Sequence, residues 1–201
     1  MKTTKRTRLA PEERRSQLLD VAQSLVLEHG LNSFTMEALT NAAGVSKPLV
    51  YKYFDTRLEL LQTLLLREFQ RFNDHQREEV DKANDYREIV TFMVTVNFDE
   101  FSKGNIIRIL RGQSDVNAAL QAIEQKVSKK LAKFLVDRLM SEYDFPRKQA
   151  EHLTVMSSGA SVAAAEYFSR FGGHREQQIE DTVTYIFGGI ESSFKKQNLQ
   201  P

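Results

Sequence analysis

The sequence predicts an all-α fold, and three observations carry that prediction. Apolar residues recur at three- and four-residue spacing along most of the chain, the period of a helix with one buried face. No stretch alternates apolar and polar residues long enough to demand a strand. Helix start and stop signals, namely prolines in first turns, hydroxyl caps and terminating glycines, fall at the ends of the periodic runs. Of the 201 residues 41% are hydrophobic, enough for a real core in one or two domains.

The first helix opens at Pro11 with Glu12 and Glu13 in its first turn, and Leu18, Leu19, Ala22, Leu25 and Val26 repeat on one face until Gly30 stops it. Thr35 caps a short second helix over residues 36–43, ended by Gly44, and Ser46 caps a third. Thr56-x-x-Glu59 has capping-box spacing, and behind it Leu58, Leu61, Leu65, Phe69 and Phe72 form the stripe of a long fourth helix. Asp85-x-x-Glu88 opens a fifth that runs to Phe101, and a short helix spans residues 106–111. Residues 116–143 read as one long helix, followed by two more over 146–171 and 174–196 with Gly172 and Gly173 between them.

A formal charge of +1 hides an asymmetry. Residues 1–67 hold ten Lys/Arg against seven Asp/Glu, and residues 68–201 hold eighteen against twenty. Lys2, Lys5, Arg6 and Arg8 precede any acid, which makes either a solvated tail or a flexible arm that gains phosphate affinity by counterion release. No run approaches the roughly 20 apolar residues of a membrane span, and no signal-peptide stretch opens the chain, so a cytoplasmic location with no membrane partner is expected. The absence of cysteine removes disulfides, thiolate metal sites and thiol catalysis. His29, His75, His152 and His174 include no pair at metal-ligand spacing, and neither a Gly-rich phosphate loop nor a nucleophile elbow occurs. No catalytic residue, metal or cofactor is therefore expected, and the chain does not read as an enzyme.

Two short helices joined by Gly44-Val45-Ser46, the second bearing cations and tyrosines, have the layout of a helix-turn-helix. Pro48 suits the start of that second helix, where its missing N–H forfeits no intrahelical bond. Val50 and Phe54 turn inward with Val45, which leaves Lys47, Pro48, Tyr51 and Lys52 on the opposite face for a DNA major groove. Tyr53 lies at the margin of that face, within reach of phosphate, while Thr35 and Arg57 stand at the starts of the second and fourth helices, where backbone N–H groups attract phosphate.

The stretch from Thr35 to Arg57, TMEALTNAAGVSKPLVYKYFDTR, resembles the DNA-binding signature of the TetR family of bacterial regulators, with similarity over residues 12–66. The resemblance rests on the Thr cap, the Ala-Gly-Val-Ser turn and the Tyr-x-Tyr-Phe run. It implies a DNA-binding domain at residues 1–56, and an effector-binding and dimerisation domain at 57–201, joined by the helix from 57. It further implies a homodimer that binds a double-stranded operator and a repressor released by a small-molecule effector. Carried over by position, the DNA contacts fall on Thr35, Ser46, Lys47, Pro48, Tyr51, Tyr53 and Arg57, and Lys52 is added from its face. Thr40, Leu49 and Arg57 depart from the commonest pattern; Leu49 exchanges a possible hydroxyl contact for an apolar one, such as to a thymine methyl. An alternative keeps the fold without an effector, as a DNA-bound structural or interaction protein.

Ser157 to Ala165 is a run of small residues within a helix, and Gly188-Gly189 lies within the last one. Small residues let a second helix approach closely. Since the family commonly dimerises through its last two helices, the seam is expected at Gly159, Ala160, Ala163, Gly188 and Gly189, with packing inside one chain as the alternative. Candidates for an apolar pocket are Phe92, Met93, Phe98, Phe101, Met140, Met156, Tyr167 and Phe168, with Glu166 and Arg111 for polar contact. Asn97 sits on the apolar stripe of Val90, Met93, Val94, Phe98 and Phe101, where its amide needs a partner, either a ligand or a backbone carbonyl.

Overall fold

The structure is a computed structural model that describes residues 9–101 and 105–198. The basic residues Lys2, Lys5, Arg6 and Arg8 lie outside the described residues. In chain order the helices are α1 Pro11–His29, α2 Met36–Ala43, α3 Lys47–Tyr53, α4 Arg57–Lys82, α5 Tyr86–Glu100, α6 Ile106–Arg111, α7 Ser114–Asn117, α8 Gln121–Tyr143, α9 Arg147–Phe171 and α10 Arg175–Asn198. The described residues contain no strand.

The predicted caps form. Thr35, Thr56 and Asp85 accept from the backbone N–H of Ala38, Glu59 and Glu88 at 3.0, 3.0 and 2.8 Å. Each side-chain bond satisfies a donor that the helix start would leave orphaned, worth about 1 kcal/mol. Ser46 is the exception: it occupies the cap position of α3, but its hydroxyl makes no cap bond.

Apolar side chains gather into two cores. The first joins Leu18, Ala22 and Val26 of α1 to Leu39, Val50, Phe54 and the N-terminal half of α4 through Phe69, and it also takes in Ile106, Ile107, Leu110, Val116 and Leu120. Helices α5, α8, α9 and α10 enclose the second, around Tyr86, Phe98, Leu139, Phe145 and Phe187. Residues 116–143 therefore do not form one helix. The chain breaks between α7 and α8 because Val116 and Leu120 are fully buried in the first core, whereas Val136 and Leu139 of α8 belong to the second.

On α4 the buried stripe runs through Leu60, Leu61, Leu64, Leu65 and Phe69 and continues to Gln76 and Val80, while Leu58 is exposed. Arg67 fastens α4 to α1: its Nη1 donates to Asp20 at 2.7 Å and to the Ser16 carbonyl at 3.3 Å, its Nη2 to Gln23 at 3.2 Å. Its Nε donates to buried Glu68 at 2.8 Å, which also accepts from Arg71 at 3.1 Å. A buried carboxylate is tolerable only with such company.

Candidate functional site

The turn between α2 and α3 is set by Gly44, whose φ of 63° and ψ of 35° place it in the left-handed region that a side chain disfavours. Thr40, where the family commonly has alanine, turns its hydroxyl onto its own helix and donates to the Met36 carbonyl at 2.7 Å, so it asks nothing of α3. Val50 and Phe54 are fully buried and fix the roll of α3. The opposite face then presents Ser46, Lys47, Pro48, Tyr51 and Lys52 to solvent.

Neither lysine of this face forms an ion pair among the described residues; Lys47 Nζ lies 5.9 Å from the Tyr51 ring centroid. Thr35 is exposed at the start of α2. Tyr53 is half-buried and lines, with Leu49 and Lys52, a groove against Leu9, Pro11 and Arg14 at the start of α1. Leu49 thus packs toward α1, and Arg14, which precedes the motif and carries no motif signal in the sequence, joins the cationic rim.

Arg57 is committed elsewhere. Its Nε donates to the Phe34 carbonyl at 3.0 Å and its Nη2 to the Leu31 carbonyl at 2.8 Å, with the guanidinium 5.9 Å from the Phe34 ring. The planar fork of arginine reaches the two carbonyls from two separate nitrogens held in a fixed plane, a geometry that the single ammonium of the lysine usual in the family does not reproduce. Glu59 also covers the start of α4 by accepting from the Asp55 N–H at 2.7 Å, leaving that terminus less open to phosphate than α2.

Among the helices behind the motif lies a cavity of about 440 Å³, walled by α4, α5, α6, α8 and α9. Met93, Asn97 and Arg111 line it, as do Phe69, Phe72, Asn73 and Gln76 of α4, and Glu124, Leu131 and Leu135 of α8. A smaller inner space adjoins it, sharing Met93, Asn97, Leu135, Thr154 and Ser158 and reaching Ser157 and Ser161. Asn97 donates to the Ser161 hydroxyl at 2.8 Å, neither of the partners its position suggested.

The other pocket candidates sit elsewhere. Phe92 meets His75 edge-on, Phe98 and Phe168 pack together in the second core, Phe101 carries the Arg108 guanidinium over its ring, and Met140 supports that core from its edge. Met156, Glu166 and Tyr167 are exposed on the outer face of α9. The α4 wall is not legible from Phe69 and Phe72, which read as core; its signal in the sequence is Asn73 and Gln76, polar residues at helical spacing from Phe69.

Exposed apolar side chains are concentrated on α9 and α10: Val155, at the cavity edge, and Phe171 of α9 are 71% and 70% exposed, and Tyr185 of α10 is 73% exposed. Gly159, Ala163, Gly188 and Gly189 lie among them, and a Cβ added at any of the three glycines would meet nothing within 4 Å. Packing inside the chain therefore does not require these glycines. Ala160, by contrast, is half-buried against the second core.

A helix-turn-helix whose exposed face carries cations without ion pairs among the described residues, packed against further helices, has the make-up of a DNA-binding regulator. Comparison with known proteins agrees. The family described as bacterial regulatory proteins, tetR family, matches residues 18–64, which spans the motif and its supporting core. The chain is 27% identical over 189 residues to the HTH-type transcriptional activator FasR of Mycolicibacterium smegmatis, covering 91% of this chain and 85% of that protein. It is 29% identical over 139 residues to the nucleoid occlusion factor SlmA of Actinobacillus pleuropneumoniae, covering 66% and 64% respectively. A TetR-like transcriptional regulator from Rhodococcus sp. RHA1 shares the fold with a TM-score of 0.65 at 21% identity, over 92% of this chain and 99% of that one. The N-terminal part thus matches the tetR family of bacterial regulatory proteins, and the chain is similar along most of its length to transcriptional regulators, which supports a DNA-binding regulator. None of its described helices is long and apolar enough to cross a membrane.

Proposed function

We propose that the protein works in the cytoplasm as a homodimeric repressor, holding a palindromic operator through two α3 helices and leaving it when a small molecule fills the cavity. Residues 1–56 supply the DNA contacts, and residues 57–201 the cavity and the seam. Thr35, Ser46, Lys47, Pro48, Tyr51, Lys52 and Tyr53 touch DNA in this reading, and Arg57 acts by holding the 31–34 turn beside Thr35. The exposed apolar face of α9 and α10 is the surface a second subunit would cover.

One observation carries the release step: Phe69 and Ile107 belong both to the core beneath the helix-turn-helix and to the cavity wall. A ligand that reshapes that wall acts on the packing that positions α3. Only a ligand with different affinities for the two arrangements can shift them. The test is a screen for compounds that both raise the melting temperature and release the operator; extensive screening that finds none, alongside a protein that binds the dimer, removes the effector.

The likeness to SlmA favours a second reading, a DNA-bound interaction protein without an effector, and the same screen separates the two. FasR is an activator by name, so the sign of control is decided by a promoter reporter: loss of the gene raises expression under repression and lowers it under activation.

A further inference from the structure

The cavity wall has an uneven inventory of charge and hydrogen-bonding groups. Its charged residues are Glu100, Glu124 and Arg111, two anions against one cation. Arg111 Nη1 donates to Glu100 at 3.1 Å and Nη2 to Glu124 at 2.7 Å, while its guanidinium lies 5.8 Å from the Phe69 ring centroid. The protein's own cation thus occupies a place made of two carboxylates and an aromatic face, a setting that suits a cation. The occupancy is imperfect, because Arg111 Nε is buried with no partner among the described residues, and an unmet buried donor is costly.

The neighbouring amides share this bias. Asn73 donates to the Phe69 carbonyl at 2.7 Å and Gln76 to the Met93 thioether at 3.5 Å. Neither a carbonyl oxygen nor a thioether sulfur can donate, so both amides are fixed with their nitrogens on the protein. Their acceptor oxygens have no hydrogen-bond partner among the described residues. The wall therefore offers acceptors and net negative charge around an apolar middle of Phe72, Met93, Val96, Leu131 and Leu135.

We infer that the effector is an organic cation with an apolar body, a protonated alkyl amine in chemical class, whose head replaces the Arg111 guanidinium between Glu100 and Glu124. An anionic head would bring a further negative charge to two glutamates already bridged by one arginine; an ammonium neutralises the excess and supplies donors. Arg111 is the last residue of α6, whose Ile106, Ile107 and Leu110 lie in the first core. Its displacement loosens α6 from α5 and α8, giving the ligand's charge a route to the DNA-binding part. This inference rests on the effector reading and adds its ligand class.

Calorimetric titration of the full chain with decylamine, decanoate and 1-decanol, each below its micelle-forming concentration, tests it. Decylamine is expected to bind, raise the melting temperature and release the operator, with the other two weaker by roughly tenfold or more. Glu124→Gln should weaken decylamine by about tenfold, and Arg111→Gln, which removes the internal competitor, should tighten it by a similar factor. A bridge with a merely structural role would move both variants in the same direction. Decanoate or decanol binding as tightly as the amine, or like-signed shifts in the two variants, overturns the inference and leaves the effector reading standing. Binding by none of the three also overturns it, while the effector reading is judged separately by the operator-release screen.

Discussion

The exposed face of α3 and the cavity wall treat positive charge in opposite ways. Lys47 and Lys52 stand in solvent without a carboxylate partner among the described residues, whereas Arg111 is held between two glutamates over an aromatic ring. A face whose cations are unpaired awaits a polyanion from outside. A wall whose cation is already paired resists anions and yields only to a competitor. One chain thus carries both a vacant electrostatic site and a filled one, and the same residue type cannot be assigned a role without its neighbours.

The sharpest way to break this contrast is at α3. Lys47→Ala with Lys52→Ala should lower operator affinity by about a hundredfold and flatten its salt dependence by about one unit of slope per lost phosphate contact, with melting temperature unchanged. Unaltered affinity in a filter-binding series would remove the contrast altogether. Next in size, Gly189→Leu should give folded monomers in sedimentation and operator binding weakened by about tenfold or more, since the single subunit has open space there. A surviving dimer would move the seam off α10.

Two smaller effects sharpen the comparison. Burial pushes the Tyr86 phenol up to about 12 from 10.0. Its folded pKa is raised, so its contribution to stability is complete below pH 10 and declines as pH climbs to 12, where the unfolded chain loses the proton first. Urea melts should show a loss of about 2 kcal/mol across that window, which Tyr86→Phe removes. Smallest, Arg57→Lys should cost about 1 kcal/mol of stability from lost carbonyl bonds while changing operator affinity little. A large loss of affinity with no loss of stability would return Arg57 to the DNA face.

Legibility in the sequence followed the same division. The recognition helix could be read because local signals determine it: Gly44, Pro48 and the inward pair Val50 and Phe54 settle its start and its roll without knowledge of the rest. The intrachain partners of Arg57 could not be read, because they are the carbonyls of Leu31 and Phe34, and backbone acceptors leave no mark in a sequence. The α7–α8 break was hidden for a related reason, since Val116 and Leu120 fit a continuous helical stripe until two different cores claim its ends. The cavity was legible only at Met93, Asn97 and Arg111, because a void is defined by what several distant helices fail to fill.

Helix α4 is also a mechanical element. Its 26 residues contain neither glycine nor proline, so at about 1.5 Å per residue it is an unbroken rod of about 39 Å. The cavity touches its middle, and the three-helix head is bolted to its front by Arg67 and Arg57. Such a lever transmits tilt and cannot absorb it: a few degrees imposed near Gln76 become a displacement of ångströms at the tip, comparable to the tolerance of a hydrogen bond.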